Sequence, residues 1–158
     1  MNGSINVYTG NGKAKSASAL GIALIAIGDG KKVFIAQFVD KTPSFQIEAI
    51  QKKLPGIVVK QYLIDCLIIN NPSQKDTETF RNIFSEIEKN IVSEKYDIVI
   101  IDDLCLNFGY NLFTIKKFID ILKLKPISTE IIITGSFVPI ELIEIADSIT
   151  EMKEINFA

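Results

Sequence analysis

The sequence contains no histidine and no tryptophan, and it has only two cysteines among 158 residues. Without histidine, the chain has neither a histidine acid–base catalyst nor a histidine metal ligand. The two cysteines, Cys66 and Cys105, match neither a zinc-binding pattern nor a Cys-x-x-Cys redox pair, so we interpret them as buried free thiols. Chemistry in this protein therefore depends on other side chains, on the backbone or on bound molecules.

Strong charge and long apolar runs are also missing. The formal net charge is only -2, and no stripe of lysine and arginine alternates with aromatic residues, which argues against a nucleic-acid partner. No apolar run reaches the roughly 20 residues that a membrane span requires. The first residues, MNGSINVYTG, lack the basic start and apolar core of a signal peptide. We therefore expect a cytoplasmic protein that binds neither nucleic acid nor membrane.

Short runs rich in isoleucine and valine are abundant, and they alternate with segments of helical periodicity. The predicted strands are 5–8, 32–38, 57–64, 96–103, 130–134 and 148–152, and the predicted helices are 13–27, 44–54, 76–92, 112–124 and 139–146. Residues 65–75 are the least periodic and are predicted to form a loop. The alternation predicts an α/β fold in one domain, 1–158, with a doubly wound, mainly parallel sheet of about six strands.

The segment YTGNGKAKSA follows the first predicted strand and leads into an alanine-rich helix. Glycines let backbone N–H groups curl around phosphate oxygens, and the start of the helix adds a positive partial charge. Lys13 and Lys15 add point charges, and Ser16 is placed to bind a magnesium ion that bridges phosphates. The alternative is a polar turn that merely caps the helix. The candidate phosphate-binding residues are Thr9, Gly10, Asn11, Gly12, Lys13, Ala14, Lys15, Ser16 and Ala17.

Two further polar clusters follow predicted strands. Asp102 and Asp103 end the run IVII, and TGS at 134–136 follows EIII. Ligands of open parallel sheets bind at the carboxyl ends of the strands, where these clusters lie. Adjacent carboxylates suit Mg²⁺, which prefers oxygen ligands, although helix capping or a turn is the commoner role of such residues alone. Together with Lys15 and Ser16, the acids favour a P-loop type nucleotide site with phosphate and magnesium.

The motifs in this order resemble one family, the P-loop type ATP:cob(I)alamin (corrinoid) adenosyltransferases. The segment VYTGNGKAKSASALGIALIAIGDGKKVFIAQF is similar to the family opening, which reads Gly-Asn-Gly-Lys-Gly-Lys-Thr-Thr-Ala and ends in a Gln-Phe strand. YDIVIIDDLCLNFGYNL resembles its Asp-Glu strand, and IIITGSFVPIELIEIADSITEMKEI resembles its Thr-Gly-Arg-x-x-Pro segment. The resemblance covers nearly the whole chain and implies transfer of the 5'-deoxyadenosyl group of ATP to reduced cobalt, with release of triphosphate.

The resemblance also implies roles for residues and partners. Residues 9–17 would hold the triphosphate, Ser16 and Asp103 would bind Mg²⁺, ATP and a corrinoid would be the substrates, and the protein would be a homodimer. No catalytic side chain is implied, because Co(I) is the nucleophile.

The chain departs from the family pattern at several positions: Ala14 replaces Gly, Ser16 and Ala17 replace Thr, Asp103 replaces Glu and Ser136 replaces Arg. The family's Phe-Thr-Trp stretch has no counterpart, and both ends look short beside the family. If position 14 requires a positive φ, its methyl group costs about 1 to 2 kcal/mol. The alternatives are therefore a catalytically degenerate nucleotide-binding or regulatory relative, or a protein that only binds partners.

Overall fold

A computed structural model describes residues 3–39, 50–63, 73–104 and 114–155. It contains one six-stranded sheet in which every pair of neighbouring strands is parallel. The strands are β1 (Ile5–Gly10), β2 (Val33–Val39), β3 (Ile57–Leu63), β4 (Ile98–Asp102), β5 (Glu130–Thr134) and β6 (Ser148–Met152). Their order across the sheet is β3-β2-β4-β5-β1-β6. The predicted parallel sheet of about six strands is confirmed.

The helices that the structure describes in full are α1 (Ala14–Gly28), α2 (Gln74–Val92), α3 (Ile115–Lys123) and α4 (Ile140–Ile143). Residues 50–53 are also helical, whereas the rest of the predicted helix 44–54 up to residue 49 lies outside the described residues, as do Cys66, Cys105 and residues 112–113. Over the described ranges, no helix combines the length and the apolar character needed to cross a membrane.

Several predicted boundaries are corrected: β4 begins at Ile98 rather than at 96, and α2 begins at Gln74, inside the predicted loop 65–75. β1 continues to Gly10 because β6 pairs with Thr9 and Gly10 as well as with the residues before them. β4 stops at Asp102 because the next residue, Asp103, has a left-handed backbone. The helix predicted for 139–146 is only α4, since the chain must reach the sheet at Asp147, whose N–H donates to the carbonyl of Ile5.

The core lies on both faces of the sheet, which explains the unbroken apolar runs of the central strands. On one face, α2, α3 and α4 cover Val99 and Ile101 of β4. On the other face, the alanines of α1 cover Ile98 and Ile100 of the same strand. The sheet is therefore doubly wound, as predicted, and its carboxyl edge brings together the loops that follow the strands.

Candidate functional site

The predicted phosphate loop is a tight turn between β1 and α1. Gly10 and Gly12 have φ values of 112° and 79°, a region that residues with a side chain rarely adopt. Helix α1 begins directly after Lys13 and has no side-chain cap. The first N–H groups of a helix lack partners within the helix and attract anions. Thr9 to Ala17 thus form a strand end, a glycine turn and a first helical turn, which is the geometry that surrounds a phosphate.

Lys15 is folded into this loop. Its side chain is only 4% exposed, and its Nζ donates to the carbonyl oxygens of Gly10 at 2.7 Å and Gly12 at 2.8 Å. These bonds use two of the three ammonium hydrogens, and the third has no partner in the described contacts. Lys13, by contrast, is exposed. The two lysines therefore have different roles: one holds the loop from inside and the other extends into solvent.

Ala14 is the first residue of α1, and its φ is not positive. The strain expected at this position, had it required a positive φ, is therefore absent. Alanine is also the best helix former, so the methyl group fits the local structure. The N–H of Ala17 already donates to the carbonyl of Lys13 inside the helix. None of the three departures from the family pattern in this loop, at positions 14, 16 and 17, places a side chain on a backbone with positive φ.

We predict that Ala14→Gly leaves the affinity for Mg-ATP within about twofold of the wild type, because no strain is relieved. The substitution should instead lower the free energy of unfolding by up to about 1 kcal/mol, since glycine is the poorer helix former. Calorimetric titration and thermal unfolding measure the two effects. A clear gain in ATP affinity would contradict the geometry described for this residue.

The acidic pair sits in a row of hydrogen bonds across four strands. Asp102, only 5% exposed, accepts from Gln37 Nε2 at 2.9 Å and from the Thr134 hydroxyl at 2.7 Å. Gln37 in turn accepts from Gln61 Nε2 at 2.7 Å. Gln61, Gln37 and Asp102 are also direct register partners on β3, β2 and β4. Both carboxylate oxygens of Asp102 are thus held by neutral donors on the neighbouring strands β2 and β5.

Asp103 has a different environment. Its φ is 54°, its N–H donates to the Thr134 hydroxyl at 2.8 Å, and its side chain is exposed. The surrounding protein still desolvates the carboxyl partly; this desolvation, and then the negative charge of Asp102, raise the pKa of Asp103, while Lys15 opposes the shift. The positive charge of Lys15 therefore acts on Asp103. The loop and the acidic pair, which the sequence predicts to be parts of one site, interact electrostatically.

The side-chain oxygen atoms of the acidic pair and Ser16 suit a cation that also binds the phosphates of a nucleotide. Mg²⁺ is usually bound by one or two carboxylates together with substrate phosphates. In the described ranges, no group of three or more His, Cys, Asp or Glu side chains could hold an ion alone. Asp102 is buried, yet it forms no ion pair with any described residue, and a buried carboxylate favours a nearby cation. The Ser16 hydroxyl, half-buried in the first turn of α1, is a further oxygen that could bind such a cation.

A cleft of about 270 Å³ opens beside the loop. One wall is the glycine turn and the start of α1, and the other is the end of β6 and the residues after it. The lining residues are Asn11, Gly12, Lys13, Ala14, Met152, Lys153 and Glu154. The contribution of residues 152–154 was not predicted from the sequence, and neither were the positions of Gln37 and Gln61. A polar glutamine near the end of an otherwise apolar strand was the available signal for Gln37.

The doubly wound parallel sheet, the glycine loop after β1 and the lysine folded into that loop define an α/β protein of the P-loop type. In the solved structures, a KaiC-like protein from Pyrococcus horikoshii has a similar fold, with a TM-score of 0.56, 15% identity and coverage of 98% of this chain and 75% of that one. At this identity, the likeness concerns the fold alone.

Comparison with families gives the more specific assignment. The model of the family "ATP:corrinoid adenosyltransferase BtuR/CobO/CobP" matches residues 1–158, and the chain belongs to this family of transferases. The chain is 27% identical over 157 residues to the corrinoid adenosyltransferase of Escherichia coli K12, covering 99% of this chain and 79% of that protein. It is 26% identical to the corrinoid adenosyltransferase CobA of Salmonella typhimurium, with the same coverage. The resemblance stated from the motifs is confirmed, for a divergent member.

Proposed function

We propose that this protein transfers the 5'-deoxyadenosyl group of ATP to a reduced corrinoid and releases triphosphate. The family match over residues 1–158 carries the proposal. The loop geometry supports it, because the glycine turn is formed and Lys15 lies inside it despite the substitutions in its sequence. The substrates are then ATP and a corrinoid whose cobalt is in the Co(I) state.

The reaction requires little covalent chemistry from the protein. Co(I) attacks C5' of ATP, a cobalt–carbon bond forms, and the bond from C5' to the phosphate oxygen breaks. Its electron pair leaves with the triphosphate, and the cobalt becomes formally Co(III). Because the nucleophile belongs to the substrate, the absence of histidine in the chain is compatible with this chemistry.

The protein's main task is to stabilise charge on the leaving triphosphate. Residues 9–17 surround the phosphates with backbone N–H groups, and Lys15 places its ammonium group among them. Ser16 and Asp103 would hold Mg²⁺, which would neutralise part of the charge that develops on the triphosphate. Asp102, whose carboxylate is oriented by hydrogen bonds from neutral donors, supplies negative charge next to these ligands. We further infer a single cytoplasmic domain that acts as a homodimer.

The activity is tested by incubating the purified protein with Mg-ATP and chemically reduced cobalamin without oxygen. The expected products are adenosylcobalamin, followed by its absorption spectrum, and triphosphate in equal amount. A folded protein that binds Mg-ATP but makes neither product would contradict the proposal.

That outcome would favour a second function, a catalytically degenerate nucleotide-binding or regulatory relative. The observation behind it is Ser136, an exposed, uncharged residue where the family pattern has arginine. An arginine there would add a fixed cation next to the end of β5. A protein that binds no nucleotide at all would instead point to a partner-binding role.

A further inference from the structure

Thr134, the last residue of β5, lies between the two acids of the site. Its side chain is fully buried, with 0% exposure. Its hydroxyl contacts both members of the acidic pair: the Asp102 carboxylate at 2.7 Å and the Asp103 backbone nitrogen at 2.8 Å. Strand β5 also separates β4, which carries the acids, from β1, which leads into the phosphate loop. Thr134 is therefore placed to connect the two halves of the site.

The donor directions of these two bonds are fixed by chemistry. The N–H of Asp103 can only donate, so the Thr134 oxygen accepts from it. The single hydroxyl hydrogen is then directed to the Oδ1 atom of Asp102, which accepts it. The same reasoning fixes Gln37, which must present its NH₂ group to the other carboxylate oxygen. Hence the Asp102 carboxylate is held from both sides and cannot rotate without losing a bond.

The second bond acts on the backbone of Asp103. A residue with φ of 54° lies in the left-handed region, which few non-glycine residues adopt without a local stabilising contact. The bond from the Asp103 N–H to Thr134 is such a contact. It turns the chain out of β4 at this point and exposes the Asp103 side chain at the carboxyl edge of the sheet.

We propose that Thr134 is a positioning residue for the divalent cation: through one hydroxyl group it orients the Asp102 carboxylate and fixes the turn that presents Asp103. The inference rests on the proposed function, because it concerns the cation that accompanies ATP. Groups that orient metal-binding side chains typically change metal affinity by 10- to 100-fold when they are removed. The first turn of α1 and the phosphate loop make no use of this hydroxyl in the described contacts.

The test uses Thr134→Val, which keeps the shape of the side chain and removes the hydroxyl. We expect it to weaken binding of Mn-ATP, measured by calorimetry, by roughly 10-fold or more. Binding of ATP in EDTA, without a divalent cation, should stay unchanged. Thr134→Ser keeps the hydroxyl and should restore most of the Mn-ATP affinity. A residue with only a structural role would not separate the metal-dependent affinity from the metal-free affinity in this way.

Thr129 offers a matched control. It is also buried, it directly precedes β5 at the opposite edge of the sheet, and its hydroxyl donates to the Tyr96 carbonyl at 3.4 Å. Thr129→Val therefore removes a buried hydroxyl next to the same strand, far from the acids, and both affinities should remain at wild-type values. If Thr134→Val does not fold, Thr134→Cys serves instead, because a thiol of similar size forms only weak hydrogen bonds.

The outcomes separate this inference from the proposed function. Wild-type protein that binds Mn-ATP, with Thr134→Val binding it equally well, would overturn the role of Thr134 alone. If Thr134→Val lost the same ATP affinity with Mn²⁺ as in EDTA, the proposed role of Thr134 would also be overturned, because the hydroxyl would then support ATP binding without regard to the metal. A wild-type protein that binds no ATP under either condition would overturn both.

Discussion

Replacing Lys15 with alanine is expected to lower the affinity for Mg-ATP by about 100-fold or more. Hydrogen bonds to charged groups contribute about 1.5 to 3 kcal/mol each, and 100-fold in affinity corresponds to about 2.7 kcal/mol. Lys15 lies inside the loop, where low exposure limits the screening of its charge by water. Its two bonds to the Gly10 and Gly12 carbonyls also hold the turn in shape before ATP arrives. Calorimetric titration measures the loss directly.

Two further lysines serve as controls for this result. Lys13→Ala removes an exposed charge from the same loop, so we expect a smaller loss of affinity, because an exposed charge is better screened. Lys89→Ala removes an exposed charge from the last turn of α2 and should leave ATP binding unchanged. Thermal unfolding of all three variants checks that the fold is kept. A Lys15→Ala protein that binds Mg-ATP within threefold of the wild type would exclude the phosphate loop as the binding site.

Much of the fold could be predicted because the sheet is buried on both faces, which makes its central strands short, uninterrupted apolar runs in the sequence. β5, EIIIT, was predicted with its observed boundaries, since a central parallel strand is apolar throughout and Glu130 and Thr134 mark its ends. The boundaries failed where a distant segment decides them. The sequence around Thr9 and Gly10 has the features of a loop, yet pairing with β6 makes both residues part of β1.

The residues of the candidate site could be predicted from the sequence, whereas the contacts between them could not. Glycines, lysines and adjacent acids are recognisable because their chemistry depends on residue type and spacing. The predicted helix 13–27 already contained Ala14, but helix ends are uncertain by one or two residues, so only the structure decides the φ of this residue. Gln37 and Thr134 bond to Asp102, and Gln61 bonds to Gln37, only through strand order and register, which depend on the whole sheet.

Gly10→Ala is expected to be strongly destabilising, with a loss of about 3 kcal/mol or more in the free energy of unfolding. A Cβ at this position would lie 2.0 Å from the carbonyl oxygen of Met152, which belongs to the paired strand β6. The backbone φ of 112° is also unfavourable for alanine. Either β6 must move away from β1 or the loop must change shape. For a protein of this size, the loss corresponds to a melting temperature lower by roughly 6 to 12 °C.

Alanine substitutions at two other glycines distinguish the effects of steric clash, backbone strain and helix propensity. At Gly12, φ is 79° but a Cβ would meet only the end of the Glu154 side chain, at 3.2 Å, so Gly12→Ala should cost about 1 to 2 kcal/mol from backbone strain alone. Gly21 lies inside α1 with open space around it, so Gly21→Ala should stabilise the protein by about 0.5 to 1 kcal/mol. Chemical denaturation of the three variants gives the order. If Gly10→Ala were no more harmful than Gly12→Ala, then β6 would not lie against the loop, and the cleft between them would have a different shape.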